Sequence, residues 1–363
     1  MSIQFIGMIG HRETSETIEP RGSIFDKQYI RRFAQAHEEA GFDRVLVGYW
    51  SDQPDGFLVV ALAGLATSKI KFLLAHRPGF VAPTLAARKL ATLDHLLDGR
   101  LAVHIISGGS DAEQRKDGDY LDHDQRYART DEFIDILKRV WTSDQPFDHQ
   151  GAIYRAEGAG SAIKPIQQPH IPVFFGGSSP AALRVAGKHA DVFALWGESL
   201  EQTAETIARV RAEAARHGRE VQFSVSFRPI IADTEAAAWA KAEGILRAAR
   251  QRIENAGQVL PKKSESVGAQ RLLETVARGE RVDSCLWTGI AALVGGSHNS
   301  TALVGTPEQV ADAFLAYYDL GVTTFLIRGF DPLNDAVDYG RELIPLTRAK
   351  IDARRKAREY QSA

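Results

Sequence analysis

Residues 3–22 read IQFIGMIGHRETSETIEPRG, and the way this stretch changes character decides the fold class. The apolar run from Ile3 to Ile9 has the length and composition of a buried strand. It leads into the long polar run Gly10 to Gly22, not into the tight glycine fingerprint that opens a helix in a doubly wound dinucleotide-binding sheet. A helical period then extends from Asp26 to Ala40 and stops at Gly41, completing one βα unit. The alternation returns with strands at Arg44 to Gly48, Ile70 to Ala75, Leu101 to Ser107, Ile171 to Phe175, Val192 to Leu195, Phe223 to Ile231 and Thr323 to Arg328. Several of these are apolar throughout, as expected where both faces of a parallel strand are covered. Eight such units predict an α/β chain closed into a (β/α)8 TIM-type barrel over residues 1–363, with a doubly wound sheet as runner-up.

Two stretches interrupt the alternation. Asp144 to Gln168, containing FDHQGAIYRAEG, reads as an extended excursion between the fourth helix and the fifth strand. A longer insertion at 250–300, before the last βα unit, contains the helical QRLLETVARG and runs into the glycine-rich GGSHNSTALVG. Long insertions on the mouth side of a barrel line the place where chemistry occurs, so this one is a candidate mobile lid, with a surface or subunit contact as the plainer reading.

Composition narrows the function classes. The 363 residues carry 44 basic and 46 acidic side chains, interspersed, for a formal charge of -2. That balance argues against a nucleic-acid or membrane surface and for a small substrate. A single cysteine, Cys285, leaves no internal disulfide, and the histidines show no metal-ligand spacing, so no metal is expected. The first residues lack a basic-then-apolar leader and no apolar run approaches a membrane span, which together read as a cytoplasmic protein.

The residues with the strongest chemical pattern are Gly176, Gly177, Ser178 and Ser179, where a buried strand meets the helical AALRVAGKHA. Such a turn presents backbone N–H groups and hydroxyls to a phosphate at the positive end of a helix. Serine caps also occur at such turns for structural reasons alone. His104 and Ser107 stand at the carboxyl end of the fourth strand, and His123 and Tyr127 open the next helix, where they can bond a cofactor ring edge or a phosphate.

Taken together, ISGGSD at 106–111, GDYLDHDQRY at 118–127, PVFFGGSSPAA at 172–182, ALWGE at 194–198, QRLLETVARGERVDSCLWTG at 270–289 and TALVGTPEQVADAF at 301–314 resemble the luciferase-like flavin monooxygenase superfamily, in particular its alkanesulfonate monooxygenase branch. The resemblance implies a β/α barrel that uses reduced FMN from a separate NAD(P)H-dependent flavin reductase, with O2 as co-substrate. It further implies cleavage of a carbon–sulfur bond to an aldehyde and sulfite, and assembly as a homodimer or homotetramer. By this match Gly176 to Ser179 hold the FMN phosphate, and His104, Ser107, His123 and Tyr127 contact the cofactor. His11, Arg77 and Trp196 correspond to active-site positions of the family.

The departures fall where a substrate would sit. Ser226 replaces a family arginine, Arg228 a histidine, Val294 the lid arginine, Phe330 a tyrosine and Gln53 a cysteine, while Arg328 stands where the family has a small residue. Ser226 and Arg228 share one face of their strand. The expectation is therefore a substrate site of altered type, in which Arg228 and Arg328 bind an anionic or strongly polar group. A structural histidine at 11, a core role for Trp196 and surface ion pairing for the arginines stand beside these readings. A deazaflavin-dependent hydride-transfer enzyme and a non-catalytic flavin-binding barrel are the alternatives from other classes.

Overall fold

The computed structural model describes residues 3–257, 266–296 and 300–362. The strands β1 (Gln4–Ile9), β2 (Arg44–Val47), β3 (Lys71–His76), β4 (Leu101–Ile105), β5 (Val173–Gly176), β6 (Val192–Trp196), β7 (Gln222–Ile231) and β8 (Val322–Ile327) alternate with helices along the chain. Their hydrogen-bonded order is β7-β8-β1-β2-β3-β4-β5-β6, and β6 pairs back onto β7, so the parallel strands close a (β/α)8 barrel. Every strand expected from the apolar runs is present. Local signals set the element ends as well: Asp26 caps the helix Lys27–Glu39 by accepting from the N–H groups of Gln28 and Tyr29, and Gly41 turns the chain with a φ of 78°.

The chain divides into two compact units. The first comprises Val45–Phe193 and Arg209–Val221. In it β3, β4 and β5 pair in register, Ala75 opposite His104 and His104 opposite Phe174. The helix His123–Thr142 lies over the helix Pro83–Leu96, and the Trp141 indole donates to the Ala87 carbonyl at 3.0 Å. The excursion after this helix is a two-stranded antiparallel ribbon, Phe147–Gln150 with Arg155–Ala159. Glu132 secures its turn, its carboxylate accepting from the N–H groups of Ala152, Ile153 and Tyr154.

The second unit comprises Met1–Arg44, Ala194–Ala208 and Gln222–Ala363. Its organising element is β7, whose two halves have different partners. Phe223 to Phe227 pair with β8, whereas Arg228 to Ile231 pair in parallel with a further strand, Ala302–Gly305. That strand in turn pairs antiparallel with Leu286–Trp287. The described part of the 250–300 insertion is thus largely regular, with helices Val267–Arg278 and Gly289–Leu293 and a short ladder that prolongs the β7 sheet. It shares an apolar cluster with the helix Glu235–Asn255, built on Ile230, Trp239, Trp287, Ile290, Val304 and Phe330. Val294, at the position of the family's lid arginine, packs against this cluster. Of the insertion, 258–265 and 297–299 lie outside the described residues.

Candidate active site

In the first unit the expected phosphate turn has a defined build. β5 ends at Gly176, Gly177 adopts a φ of 138°, and Ser179 caps the helix Pro180–His189 by accepting from the Ala182 N–H at 3.2 Å. A Cβ at 177 would lie 2.7 Å from the Ala182 methyl and 2.9 Å from the Tyr127 hydroxyl, so only glycine leaves this surface open. Ser179 also bonds Tyr127, whose phenol is pushed up by burial against that bond. Ser178 is part-buried beside it. The exposed His123 rests on the Tyr127 ring, with centroids 4.8 Å apart, and its Nδ1 contacts Asp124. The structure thereby joins Gly177 and Ser179 of this turn to His123 and Tyr127 of an earlier helix.

The neighbouring strand ends sort by face. His76, at the end of β3, packs its ring against Phe133 of the helix His123–Thr142, with centroids 5.5 Å apart, so its register partners face the helical layer. His104 is offset by one residue and faces the inner side of the sheet. Its Nδ1 is buried without a hydrogen-bond partner among the described residues, and burial holds its pKa down at about 4. It is a neutral imidazole at pH 7 with an unused ring nitrogen. Ser107 is buried, its hydroxyl 2.9 Å from that of Thr130.

Arg77 is buried and internally neutralised. Its guanidinium bonds the Ser51 hydroxyl at 3.1 Å, lies 3.5 Å from Glu113 and 3.8 Å from Asp117, and stacks over the Tyr49 ring. This ties the loop after β2 to the helix Asp111–Lys116. Gln53 in the same loop donates to its neighbour Asp52 at 2.9 Å, and Asp52 lies 3.8 Å from Lys116, which in turn pairs with Glu113.

In the second unit the loop after β1, the strand β7 and the end of β8 bring together a cluster centred on a residue that the sequence did not single out, Glu16. Its Oε1 lies 2.6 Å from Arg228 Nη1 and 2.7 Å from Arg328 Nη2. Burial alone would push the Glu16 carboxyl up, but the two guanidiniums prevail and hold it well below the usual carboxylate range. Arg228 has no exposed surface. It donates to the Gly329 carbonyl at 2.8 Å and lies 3.6 Å over the ring of the buried Phe330. Arg328 retains 27% exposure, and its Nη1 faces the Met8 thioether at 3.4 Å. The two arginines expected to bind an anion are thus already bridged by a carboxylate, and only Arg328 reaches solvent. Ser226 is buried on the same strand as Arg228, and His11 opens the part-buried loop that carries Glu16.

Trp196 ends β6 and meets the insertion: a Cβ at Gly268 would lie 3.2 Å from its six-membered ring. The next two residues anchor the strand end, Thr301 donating to the Gly197 carbonyl and Tyr317 to the Glu198 carbonyl, each at 2.7 Å. Among the described residues no group of three histidine, cysteine, aspartate or glutamate side chains is placed to hold a metal ion, and no helix is long and apolar enough to cross a membrane.

Comparison with known proteins bears on the fold and the family. Residues 3–324 match the family model described as luciferase-like monooxygenase. Among solved structures, a riboflavin lyase with modified FMN and riboflavin superposes with a TM-score of 0.78 at 21% identity, covering 96% of this chain and 92% of its own. The EDTA monooxygenase of Chelativorans sp. BNC1 gives 0.76 at 21% identity, with 96% and 94% covered. A long-chain alkane monooxygenase gives 0.76 at 18%, with 96% and 92% covered. At these identities the superpositions speak for the fold, and the family model, spanning most of the sequence, decides the membership: this chain belongs to the luciferase-like monooxygenase family.

Proposed function

We propose that the chain is the oxygenase of a two-component system that takes reduced FMN from an NAD(P)H-dependent flavin reductase and uses O2 to oxidise a small polar substrate, an organosulfur compound being the leading candidate. The observation that carries this reading is the turn Gly176 to Ser179. A glycine with positive φ, a serine cap and a helix start are arranged as an anion cradle in a chain of this family. The residues present fit the cofactor. Gly177 keeps a surface open where any Cβ would fill it, and His104 holds an unused ring nitrogen on the inner face of the sheet. Gly176 to Ser179 with Tyr127 and His123 would hold the phosphate, and His104 with Ser107 the ring edge. Bound reduced flavin would supply the two electrons that take one atom of O2 to water.

For an alkanesulfonate the other oxygen atom goes to carbon, the C–S bond breaks, and an aldehyde and sulfite leave. Trp196 and the helix Val267–Arg278 that rests on it would exclude water. Arg328, whose side chain is 27% exposed, would orient the substrate. A second reading, a polar substrate other than a plain sulfonate, is favoured by Glu16, which sets a carboxylate beside that arginine. Self-association belongs to the proposal too. The helix Gly56–Gly64, FLVVALA between its glycines, is apolar on every side and leaves Leu58 66% exposed.

The deciding experiment is oxygen uptake with free reduced FMN across sulfonates, sulfones and non-sulfur compounds, scoring sulfite. Substrate-dependent uptake with sulfite release supports the leading reading. Uptake without sulfite supports the second, and no substrate-coupled uptake rejects the oxygenase reading.

A further inference from the structure

Glu16 sits in a polar run where nothing distinguishes it from Glu13 or Glu19 in sequence, yet it alone of the three bridges Arg228 of β7 and Arg328, just past the end of β8. The bridge uses only Oε1. Oε2 is buried and accepts no hydrogen bond from any described residue, although a carboxylate oxygen has two lone pairs to offer. Arg328 is incomplete in the complementary sense. Its Nη2 is satisfied by Glu16, but its Nη1 has the Met8 sulfur, a weak acceptor, at 3.4 Å. The cluster therefore presents an unused anionic acceptor beside an undersatisfied cationic donor. Two guanidiniums against one carboxylate leave a net positive charge.

We propose that Glu16 and Arg328 form a two-point recognition site for a substrate that carries an amine next to an oxyanion. The ammonium donates to Glu16 Oε2, and the oxyanion accepts from Arg328 Nη1 in place of the thioether. This rests on the oxygenase reading above and narrows its substrate class. A plain alkanesulfonate offers acceptors and no donor, and it sets a second anion against the Glu16 carboxylate, so the site rejects what it would otherwise take. Arg228 is a positioning residue. It is wholly buried, its Nη2 is held by the Gly329 carbonyl and its face by the Phe330 ring, and its Nε and Nη1 have no well-aligned hydrogen bond, so it fixes the carboxylate through charge at 2.6 Å and does not meet the substrate.

The test is equilibrium binding of two matched pairs to the full chain, 2-aminoethanesulfonate against ethanesulfonate and 3-aminopropanoate against propanoate, with oxygen uptake on reduced FMN read on the same samples. The wild-type chain should prefer the amino member of at least one pair by about tenfold or more, tenfold being the lower end for one added hydrogen bond between charged groups, and the better pair identifies the oxyanion. Glu16→Gln keeps the shape and removes the charge. It should bring that ratio below about threefold while the affinity for oxidised FMN holds. If Glu16→Gln does not fold, Glu16→Asp, which draws the carboxylate back, should lower the ratio. A wild-type ratio near one, no binding of any of the four, or a ratio unchanged in the variant overturns the proposal. An amino preference without uptake by any probe leaves the recognition site standing and counts against the oxygenase reading. Coupled uptake without an amino preference does the reverse.

Discussion

Arg271, on the helix Val267–Arg278, grips both carboxylate oxygens of Glu198, its Nε 3.0 Å from each and its Nη2 2.9 Å from one. Both side chains are nearly buried, and the same guanidinium reaches Glu205, Thr206 and the Gln202 carbonyl. Burial pushes the Glu198 carboxyl up even with the arginine present. The insertion is therefore docked through a desolvated ion pair, two residues beyond Trp196. Removing one partner of such a pair strands a buried charge and typically costs about 3–5 kcal/mol. Arg271→Met should lose stability on that scale in urea unfolding, and Arg271→Met with Glu198→Gln should recover much of it. A single variant as stable as the wild type would show that the pair does not hold this helix.

Gly177→Ala should abolish FMN binding while the chain stays folded. The added methyl meets the Ala182 Cβ and the Tyr127 hydroxyl at under 3 Å, and the φ of 138° disfavours any side chain. Ser179→Ala removes a cap bond and the Tyr127 partner, so it should lower stability by about 1 kcal/mol and weaken FMN as well. Flavin fluorescence quenching reads both. FMN affinity unchanged in both variants would move the phosphate elsewhere.

The strands and the build of the turn at Gly176 to Ser179 were legible because their physics is local. A parallel strand covered on both faces must be apolar throughout, and Gly176 to Ser179 carry their conformation in their own residue types. The bridge of Arg228 and Arg328 by Glu16 was not legible. Its partners come from β7 and β8, hundreds of positions away in the chain, and one glutamate among the charges of residues 10–22 bears no mark of folding inward. Arg271 was hidden in another way: the period of QRLLETVARG reports a helix but not which polar side chain turns toward the core. The two-sided pairing of β7 was equally silent, since its apolar run is the same whether β8 or the strand Ala302–Gly305 lies alongside.

Acid should act on stability in two separable windows. His37, His76 and His104 are each held down at about 4 from an ordinary 6.5 by burial, so the folded chain binds fewer protons than the unfolded one between those values. Stability should fall as pH is lowered through that range. Glu16 is held below its ordinary 4.5, so its contribution is fully present above 4.5 and lost progressively as pH falls further. Urea midpoints from pH 7 to pH 3 should fall in both windows, with Glu16→Gln flattening only the lower one. A flat profile between pH 6.5 and 4 would mean that the three imidazoles are not buried neutral.

Arg228 and Arg328 share one carboxylate but should fail differently when removed. Arg228 has no exposed surface, and its loss leaves Glu16 with a single cation and the Gly329 carbonyl without its donor. Arg228→Ala should therefore cost about 3–5 kcal/mol of stability, the scale for breaking a buried pair. Its effect on the apparent substrate constant would arrive through a displaced Glu16. The Arg328 side chain is partly exposed, and its carboxylate partner retains Arg228. Arg328→Ala should thus leave the urea midpoint nearly unchanged while raising the substrate constant by tens to thousands of fold, roughly 2–5 kcal/mol for truncating one side of a desolvated charged contact. FMN affinity is the control in both, because the turn proposed to hold the phosphate, Gly176 to Ser179, belongs to other residues. Equal losses of stability in the two variants would make the arginines a purely structural pair. Wild-type kinetics in Arg328→Ala on the true substrate would take the recognition role from it.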